Sequence, residues 1–178
     1  MEAVTQYVRK ARGVTLVTFQ QLYPHYFLFK HPKLVRDERQ RADIDYATSA
    51  IDLNFDPLPG ETQLVPVKKN PDNPFPDRLT IGRATNCDVV IRLAFVSKVH
   101  AHLFIQAGDK LTLRDNKASN ATFHNHRKLE PGSSRSIKLG DVISFGALDL
   151  ELMDASRLYE ILHSGTRTSF GSPAAARG

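Results

Sequence analysis

The chain has 178 residues, a formal net charge of +5, and 41% hydrophobic and 24% charged residues. This length and apolar content suit one domain with extensions, or two small domains, with a packed core. No apolar run reaches the roughly 18 residues of a membrane-spanning helix, and no signal-peptide pattern begins the chain. A single cysteine, Cys87, excludes an internal disulfide and is typical of a reducing compartment, so we expect a cytoplasmic protein.

Residues 1–60 predict a partly helical extension of unknown role. Apolar side chains at helical spacing predict a first helix: Val4, Tyr7, Val8 and Ala11. Thr18 with Gln21 resembles a capping box, the apolar run at 26–29 predicts a strand, and residues 43–53 are a candidate helix. Two interpretations stay open, a flap that docks on the next region and an arm that binds a partner. The flap is favoured, because the aromatic side chains would otherwise be exposed.

Residues 62–154 predict a run of short strands separated by turns. Strand patterns occur at residues 64–67, 79–81, 101–105, 111–113, 142–145 and 148–152. The three prolines within residues 70–77 predict a loop. Short strands at regular spacing, without strand–helix alternation, predict a mainly β fold of the sandwich or barrel type. Residues 155–178 then add a short apolar stretch and a flexible tail.

Four separated motifs in this β-rich region place polar groups on loops between the predicted strands. The motifs are Ile81-Gly82-Arg83 with Asp88, Val96-Ser97-Lys98-Val99-His100-Ala101, Leu113-Arg114-Asp115 with Ser119-Asn120-Ala121-Thr122, and Leu139-Gly140-Asp141-Val142-Ile143-Ser144-Phe145-Gly146. They combine an arginine, a lysine, two hydroxyls and an amide. These groups are the donors and cations that hold a phosphate dianion without hydrolysing it.

In this order the motifs resemble those of the forkhead-associated (FHA) domain, a family that binds phosphothreonine, over about residues 64–153. The resemblance implies an FHA-like β-sandwich of two twisted sheets, preceded here by the N-terminal extension. It implies that Arg83 contacts the phosphate with its guanidinium fork and that Ser97 donates its hydroxyl to a phosphate oxygen. Lys98 would add a contact from its backbone N–H or from its ammonium group.

The same resemblance implies roles for the residues around this phosphate site. Ser119 would line the phosphate or methyl pocket. Asn120 would hydrogen-bond the peptide backbone beside the phosphothreonine and fix its extended register. Gly82 is expected to serve the backbone geometry. His100 is expected to brace the binding loops by hydrogen bonds, with no catalytic role.

Two residues depart from the family pattern near the third binding loop. Ala121 stands where glycine usually follows the asparagine, and His126 stands where a second glycine is common after Asn125. If Ala121 needs a positive φ, the strain is about 1–2 kcal/mol. We expect both departures to affect loop shape and peptide selectivity more than phosphate binding.

The function that the resemblance implies is a non-enzymatic phosphothreonine-binding adapter in Ser/Thr kinase signalling. The expected partner is a threonine-phosphorylated protein or peptide, with a Ser/Thr protein kinase as one candidate, and no cofactor, metal or membrane is expected. Thr166 and Thr168 lie beside arginines, so self-association through a phosphorylated tail is a further hypothesis. A phosphate-independent interaction scaffold is the alternative function.

Enzymatic and metal-binding functions find less support in the residues. The sequence contains no nucleophile elbow and no P-loop. Ser97 and His100 are close in sequence, but no acidic residue can be named that would orient the histidine in a catalytic triad. The pairs His100/His102 and His124/His126 have no carboxylate or cysteine beside them at a familiar metal-ligand spacing.

A nucleic-acid partner is also disfavoured. Several cations could share the loop side of the domain: Arg92, Lys98, Arg114, Lys117, Arg127 and Lys128. However, no Lys/Arg run is longer than two residues, whereas nucleic-acid footprints usually show clustered basic residues.

Overall fold

The structure, a computed structural model, describes residues 1–11, 13–30 and 63–163. Its elements in chain order are β1 (Glu2–Ala3), α1 (Val4–Ala11), α2 (Leu16–Leu22), β2 (Tyr26–Lys30), β3 (Gln63–Val67), β4 (Leu79–Gly82), β5 (Val89–Val90), β6 (Ala101–Gln106), β7 (Lys110–Asp115), β8 (Thr122–His124), β9 (Arg127–Lys128), β10 (Ser134–Ile137), β11 (Val142–Phe145), β12 (Leu148–Asp154) and α3 (Ala155–His163). The candidate helix at 43–53 and the tail threonines lie outside the described residues.

The strands form two sheets. The seven-stranded sheet has the order β1-β3-β2-β12-β11-β8-β9, and the five-stranded sheet has the order β10-β7-β6-β4-β5. Neighbouring strands are antiparallel except β4 and β5, which are parallel. The mainly β prediction is therefore confirmed.

One hydrophobic core lies between the two sheets. Alternate strand residues from both sheets are buried in it, including Leu28, Val65, Ile143, Phe145 and Leu150 from the seven-stranded sheet and Ile81, Ala101, Leu103, Leu111 and Leu113 from the five-stranded sheet. Each buried Leu, Ile or Phe side chain contributes about 1.5–3 kcal/mol to folding. The shared core makes the two sheets a β-sandwich, as expected.

A second core lies on the outer face of the seven-stranded sheet, under the described helices α1, α2 and α3. It includes Tyr7 from α1, Phe19 from α2, Phe27 and Phe29 from β2, and Leu158 from α3. Strand β2 itself pairs with β3 on one side and with β12 on the other. The described part of the N-terminal region is thus packed on the sheet through its helices and forms part of the sheet through β2.

Most of the helices and strands predicted from side-chain patterns are confirmed. The helix at 4–11, the strand at 26–29 and the strands of the β-rich region are present. The capping box was misplaced, since Thr15 caps α2 and its hydroxyl accepts the backbone N–H of Thr18 at 3.3 Å. The apolar stretch after residue 154 is α3, whose first turn is held by the backbone N–H of Arg157 donating to Asp154 Oδ1 at 2.7 Å. None of the described helices is long and apolar enough to cross a membrane.

Candidate functional site

Three loops meet at one rim of the sandwich. We name them the arginine loop (residues 83–88), the serine loop (residues 91–100) and the asparagine loop (residues 116–121). The backbone N–H of Arg83 donates to the carbonyl of Ser97 at 3.0 Å, and the backbone N–H of Ala84 donates to the carbonyl of Lys98 at 3.1 Å. The backbone N–H of Ser119 donates to Ser97 Oγ at 3.1 Å. These bonds place the three loops side by side.

Gly82 lets the arginine and serine loops approach each other. A Cβ at this position would overlap the Lys98 carbonyl oxygen, and it would lie 2.8 Å from the Lys98 carbonyl carbon and 2.9 Å from Val99 Cα. Any side chain at residue 82 would therefore push the serine loop away. Gly82 thus allows the close approach of the two backbones, and no positive φ is involved.

His100 ties the base of the serine loop to the sheet. Its ring is fully buried, and Nδ1 accepts the backbone N–H of Ser97 at 3.1 Å. The backbone N–H of His100 donates to the carbonyl of Ile81 at 2.7 Å, and its carbonyl accepts the backbone N–H of Asn116 at 2.9 Å. Burial lowers the pKa of His100 to about 4, although the charge of Asp115 acts in the opposite direction. The imidazole is therefore neutral near pH 7, which is the form that can accept the Ser97 N–H.

The polar groups of the serine and arginine loops face solvent in part. Arg83 and Lys98 are exposed, and Ser97 is half-buried. Because Ser97 Oγ already accepts the Ser119 N–H, its hydroxyl proton is left to donate outward. The rim therefore offers a guanidinium, an ammonium group and a hydroxyl donor.

Asn120 is held by the serine loop and by the turn after β11. Its Nδ2 donates to the carbonyl of Phe95 at 2.7 Å. The backbone N–H of Gly146 donates to the carbonyl of Ala121 at 3.0 Å. Gly146 has a φ of +60°, and a Cβ there would lie 3.0 Å from the Phe95 ring and 3.4 Å from Asn120 Cβ. These contacts fix the half-buried Asn120 side chain at the rim beside the exposed Ser119.

Asp115 supports the asparagine loop from below. Its buried carboxylate accepts the hydroxyl of Thr122 at 2.6 Å, and it also accepts the backbone N–H groups of Lys117 at 2.7 Å and Gly132 at 3.1 Å. The motif Leu113-Arg114-Asp115 contained this residue, but the sequence assigned it no role. The carbonyl of Phe95, which positions Asn120, had no signal in the sequence because it is a backbone group.

The two departures from the family pattern behave differently. Ala121 has no positive φ, so the condition for strain at this residue is not met. Asn125 and His126 have φ values of 48° and 65° and form the tight turn between β8 and β9. Asn125 Oδ1 accepts the backbone N–H of Val142 at 2.8 Å, which stabilises its left-handed conformation. His126 is the residue at which glycine would be favoured.

The paired histidines lie in different surroundings. His100 is buried in the sandwich and His102 lies half-exposed on β6, while His124 bonds Asp141 at 2.8 Å and His126 is exposed. Within residues 1–11, 13–30 and 63–163, no group of three or more His, Cys, Asp or Glu side chains is arranged to hold a metal ion.

Burial raises the pKa of the Cys87 thiol, which donates to the carbonyl of Lys98 at 3.2 Å.

The six cations considered for nucleic-acid binding are divided among several parts of the sandwich. Arg92, Lys98 and Lys117 lie on the rim loops, whereas Arg114 lies on β7 and Arg127 with Lys128 forms β9 at an edge of the seven-stranded sheet. The rim loops therefore carry only part of this set.

Residues 79–146 match the family model of the FHA domain. No match was found among curated proteins. Similar solved structures include EmbR of Mycobacterium tuberculosis in complex with a low-affinity phosphopeptide, at 25% identity and a TM-score of 0.39, over 43% of this chain and 20% of EmbR. This chain thus spans about a fifth of EmbR.

For two further solved structures, the match extends over most of the solved chain. The N-terminal FHA domain of S. cerevisiae Rad53p with a phosphothreonine peptide shares 24% identity, with a TM-score of 0.41, over 47% of this chain and 73% of that one. The FHA domain of CT664 from Chlamydia trachomatis shares 17% identity, with a TM-score of 0.43, over 72% of this chain and 97% of that one.

Proposed function

We propose that the chain binds threonine-phosphorylated peptides at the rim of its sandwich, without catalysis, through the region 79–146 that matches the FHA domain family model. The hydrogen bonds that join Arg83, Ser97 and Ser119 carry this proposal. They bring three separate loops together, which supports a site where one phosphate meets groups from all three.

The chemistry of the rim suits a phosphate dianion. A phosphothreonine carries a charge of about −1.5 to −2 and three acceptor oxygens. The Arg83 guanidinium supplies a charged fork for two of these oxygens. The Ser97 hydroxyl donates to the phosphate, and Lys98 adds a backbone N–H or ammonium contact. Both Arg83 and Lys98 are exposed, so the phosphate reaches them without first displacing a side chain of the core.

Ser119 and Asn120 recognise the peptide beside the phosphate. Ser119 lines the phosphate or methyl pocket next to Ser97, to which its backbone is bonded. Asn120 is fixed through its bond to Phe95, so its amide meets the peptide backbone with little loss of side-chain entropy. Gly82 and His100 hold the loops in place and contact no ligand.

The first test removes the guanidinium. Arg83→Ala loses a charge-assisted hydrogen bond worth roughly 1.5–3 kcal/mol, so affinity for a phosphothreonine peptide should fall by more than about tenfold. Fluorescence anisotropy with a labelled peptide measures the affinity. The matched control is Arg157→Ala on α3, which follows the far end of β12 and should bind like the wild type.

The outcomes separate the proposed function from its alternatives. Equal affinity of wild type and Arg83→Ala for a natural partner would favour a phosphate-independent scaffold. Release of inorganic phosphate from the peptide would indicate a phosphatase and contradict a purely binding role. Binding of the unphosphorylated peptide with the same affinity would remove the phosphate from the recognition altogether.

In the cell, we infer that the protein serves as an adapter in Ser/Thr kinase signalling in the cytoplasm. A threonine-phosphorylated kinase or kinase substrate would present the peptide. Phosphorylation of Thr166 or Thr168 would allow the tail of one copy to bind the rim of another. Mass measurement of the assembly before and after kinase treatment tests this self-association, and an unchanged mass excludes it.

A further inference from the structure

The outer face of the five-stranded sheet carries aromatic and cationic side chains that the rim does not use. In β6, Leu103 is buried in the core, so His102 and Phe104 point to the opposite face, where both are half-exposed. Across the pairing with β7, His102 lies opposite Arg114 and Phe104 lies opposite Thr112. A histidine, a phenylalanine and an arginine are therefore neighbours at the middle of an open sheet face.

Arg78 extends this surface with a second aromatic ring. Its guanidinium carbon lies 4.9 Å from the centre of the Phe75 ring and 5.8 Å from the centre of the Phe104 ring. Phe75 is 45% exposed, which is high for a large apolar side chain. The Arg78 guanidinium therefore lies close to both aromatic rings.

The loop that carries Phe75 is anchored to the sheet. Lys69 Nζ donates to the carbonyl of Phe75 and, at 3.0 Å, to the carbonyl of Arg78. The buried Asp88 carboxylate accepts the backbone N–H groups of Asn70 at 2.7 Å and Thr80 at 2.6 Å. These bonds hold Phe75 in place without a ligand, so the cost of ordering it on binding is small.

The charge of the face is positive. Lys110, opposite Gln106, is exposed at one end of β7, and Arg114 is exposed near the other end. Asp77 bonds Arg78 at 3.0 Å and offsets one of these charges. Burial lowers the pKa of His102, and the positive charges of Arg78 and Arg114 lower it further. Both arginines therefore lie close enough to His102 to make the centre of the face positive. Hydroxyls of β10 complete the surface, because Ser136 pairs with Thr112 and Ser134 pairs with Arg114.

We propose that this face, which we name the aromatic face (Phe75, Arg78, His102, Phe104, Lys110 and Arg114), binds single-stranded nucleic acid. Bases stack on the Phe75 and Phe104 rings, and Lys110 and Arg114 contact phosphates. Aromatic rings beside a guanidinium match the π-faces of unpaired bases, whereas an acidic peptide would use the charges and leave the rings unmatched.

This proposal differs from the expectation based on sequence for a physical reason. The basic residues are dispersed along the chain, and no run is longer than two. The strand register brings Arg78, His102 and Arg114 together although they are far apart in sequence. The aromatic face is also separate from the rim, so it does not depend on phosphopeptide binding.

The test uses the full chain and a fluorescein-labelled oligouridine of about 12 nucleotides, a length within the range bound by single-strand platforms. Anisotropy should show binding whose affinity falls about tenfold between 50 and 200 mM salt, as expected for two or three neutralised phosphates. Phe104→Ala should weaken binding about tenfold through lost stacking. Lys110→Glu, at an exposed position, should weaken it through charge reversal, while Arg83→Ala at the rim should bind oligouridine like the wild type.

Several results would overturn the proposal. One is no binding at 50 mM salt, and another is equal affinity of Phe104→Ala and wild type. A third is a loss in Arg83→Ala as large as that in Lys110→Glu, which would place the oligonucleotide at the rim. Competition by polyglutamate as strong as that by unlabelled oligouridine would show a surface for acidic proteins instead. Thermal unfolding of each variant identifies any misfolded protein, and Lys110→Glu then serves in place of Phe104→Ala.

Discussion

His100 supports the rim loops and His124 supports the β8–β9 hairpin, yet the two rings are held in different ways. His100 is fully buried, and its Nδ1 accepts a backbone N–H from Ser97. His124 is only half-buried, and its Nε2 bonds the carboxylate of Asp141 at 2.8 Å. The rim thus depends on a neutral imidazole, whereas the hairpin depends on an ionised carboxylate.

This difference separates the effects of acid on the two regions. At the rim, protonation of His100 would remove the acceptor for the Ser97 N–H and place a charge in the core. At the hairpin, protonation of Asp141 would weaken its bonds to His124, Asn125 and the backbone N–H of Lys138. The two events occur in different pH ranges, so the two supports can be tested separately.

The largest expected effect is the loss of stability when His100 is protonated. The pKa of about 4 in the folded protein lies below the ordinary value of 6.5, so the unfolded chain binds a proton first as the pH falls. Stability from the neutral ring is complete above pH 6.5 and falls between pH 6.5 and about 4, by roughly 3 kcal/mol in total. Denaturant unfolding at pH 7, 5.5 and 4.5 measures this slope.

A matched variant identifies the group responsible. His100→Asn keeps an acceptor near the position of Nδ1 but cannot be protonated in this range. Its unfolding free energy should therefore change less between pH 6.5 and 4.5 than that of the wild type. An equally steep profile in the variant would show that another group controls the acid response.

The second effect concerns Asp141. Burial would raise its pKa, but hydrogen bonds from Asn125, His124 and the Lys138 N–H together hold the pKa below its ordinary value. The sign is the same as for His100, because both contributions to stability are lost as the pH falls, but that of Asp141 is lost only below the ordinary carboxyl pKa. The stabilisation is present above the ordinary carboxyl pKa and is lost as the pH falls through the lower folded value.

Asp141→Asn tests this support. The asparagine amide keeps one acceptor oxygen but loses the negative charge. Donors that bonded the carboxylate then lack a partner, which should lower the unfolding free energy at pH 7 by about 1–3 kcal/mol. The acid response between pH 6.5 and 4.5 should stay unchanged, because it comes from the histidines with lowered pKa values, His100 and His102, and not from Asp141. A variant that loses this response as well would show that the two regions are coupled.

How much of this site the sequence could predict depended on the type of group. Alternating patterns in β6 and β7 predicted their strands, because buried and exposed residues alternate over several positions. Strands β8, β9 and β10 were not predicted, since they are short and mostly polar, and β8 and β10 pair with strands distant in sequence. Proximity of residues 83, 97 and 119 followed only from the family resemblance, because no spacing rule joins such distant loops.

The smallest expected effect distinguishes the two departures from the family pattern. His126 has a φ of 65°, so His126→Gly should relieve strain and raise the unfolding free energy by about 0.5–1 kcal/mol after the entropy cost of glycine. Ala121 has no positive φ, so Ala121→Gly should lower it by about 0.5–1 kcal/mol. Thermal unfolding of both variants measures the two signs, and a gain in both would contradict the conformations described for this loop and hairpin.

The most direct measurement of phosphate recognition at the rim is an NMR titration of the ¹⁵N-labelled chain with a phosphothreonine peptide and with its unphosphorylated counterpart. The phosphopeptide should shift the backbone amide signals of Arg83, Ser97, Lys98 and Asn120, while the signals of β6 and α3 stay in place. The unphosphorylated peptide should shift none of them. Shifts of the same size with both peptides, or shifts confined to residues outside the three rim loops, would contradict a phosphate site formed by these loops.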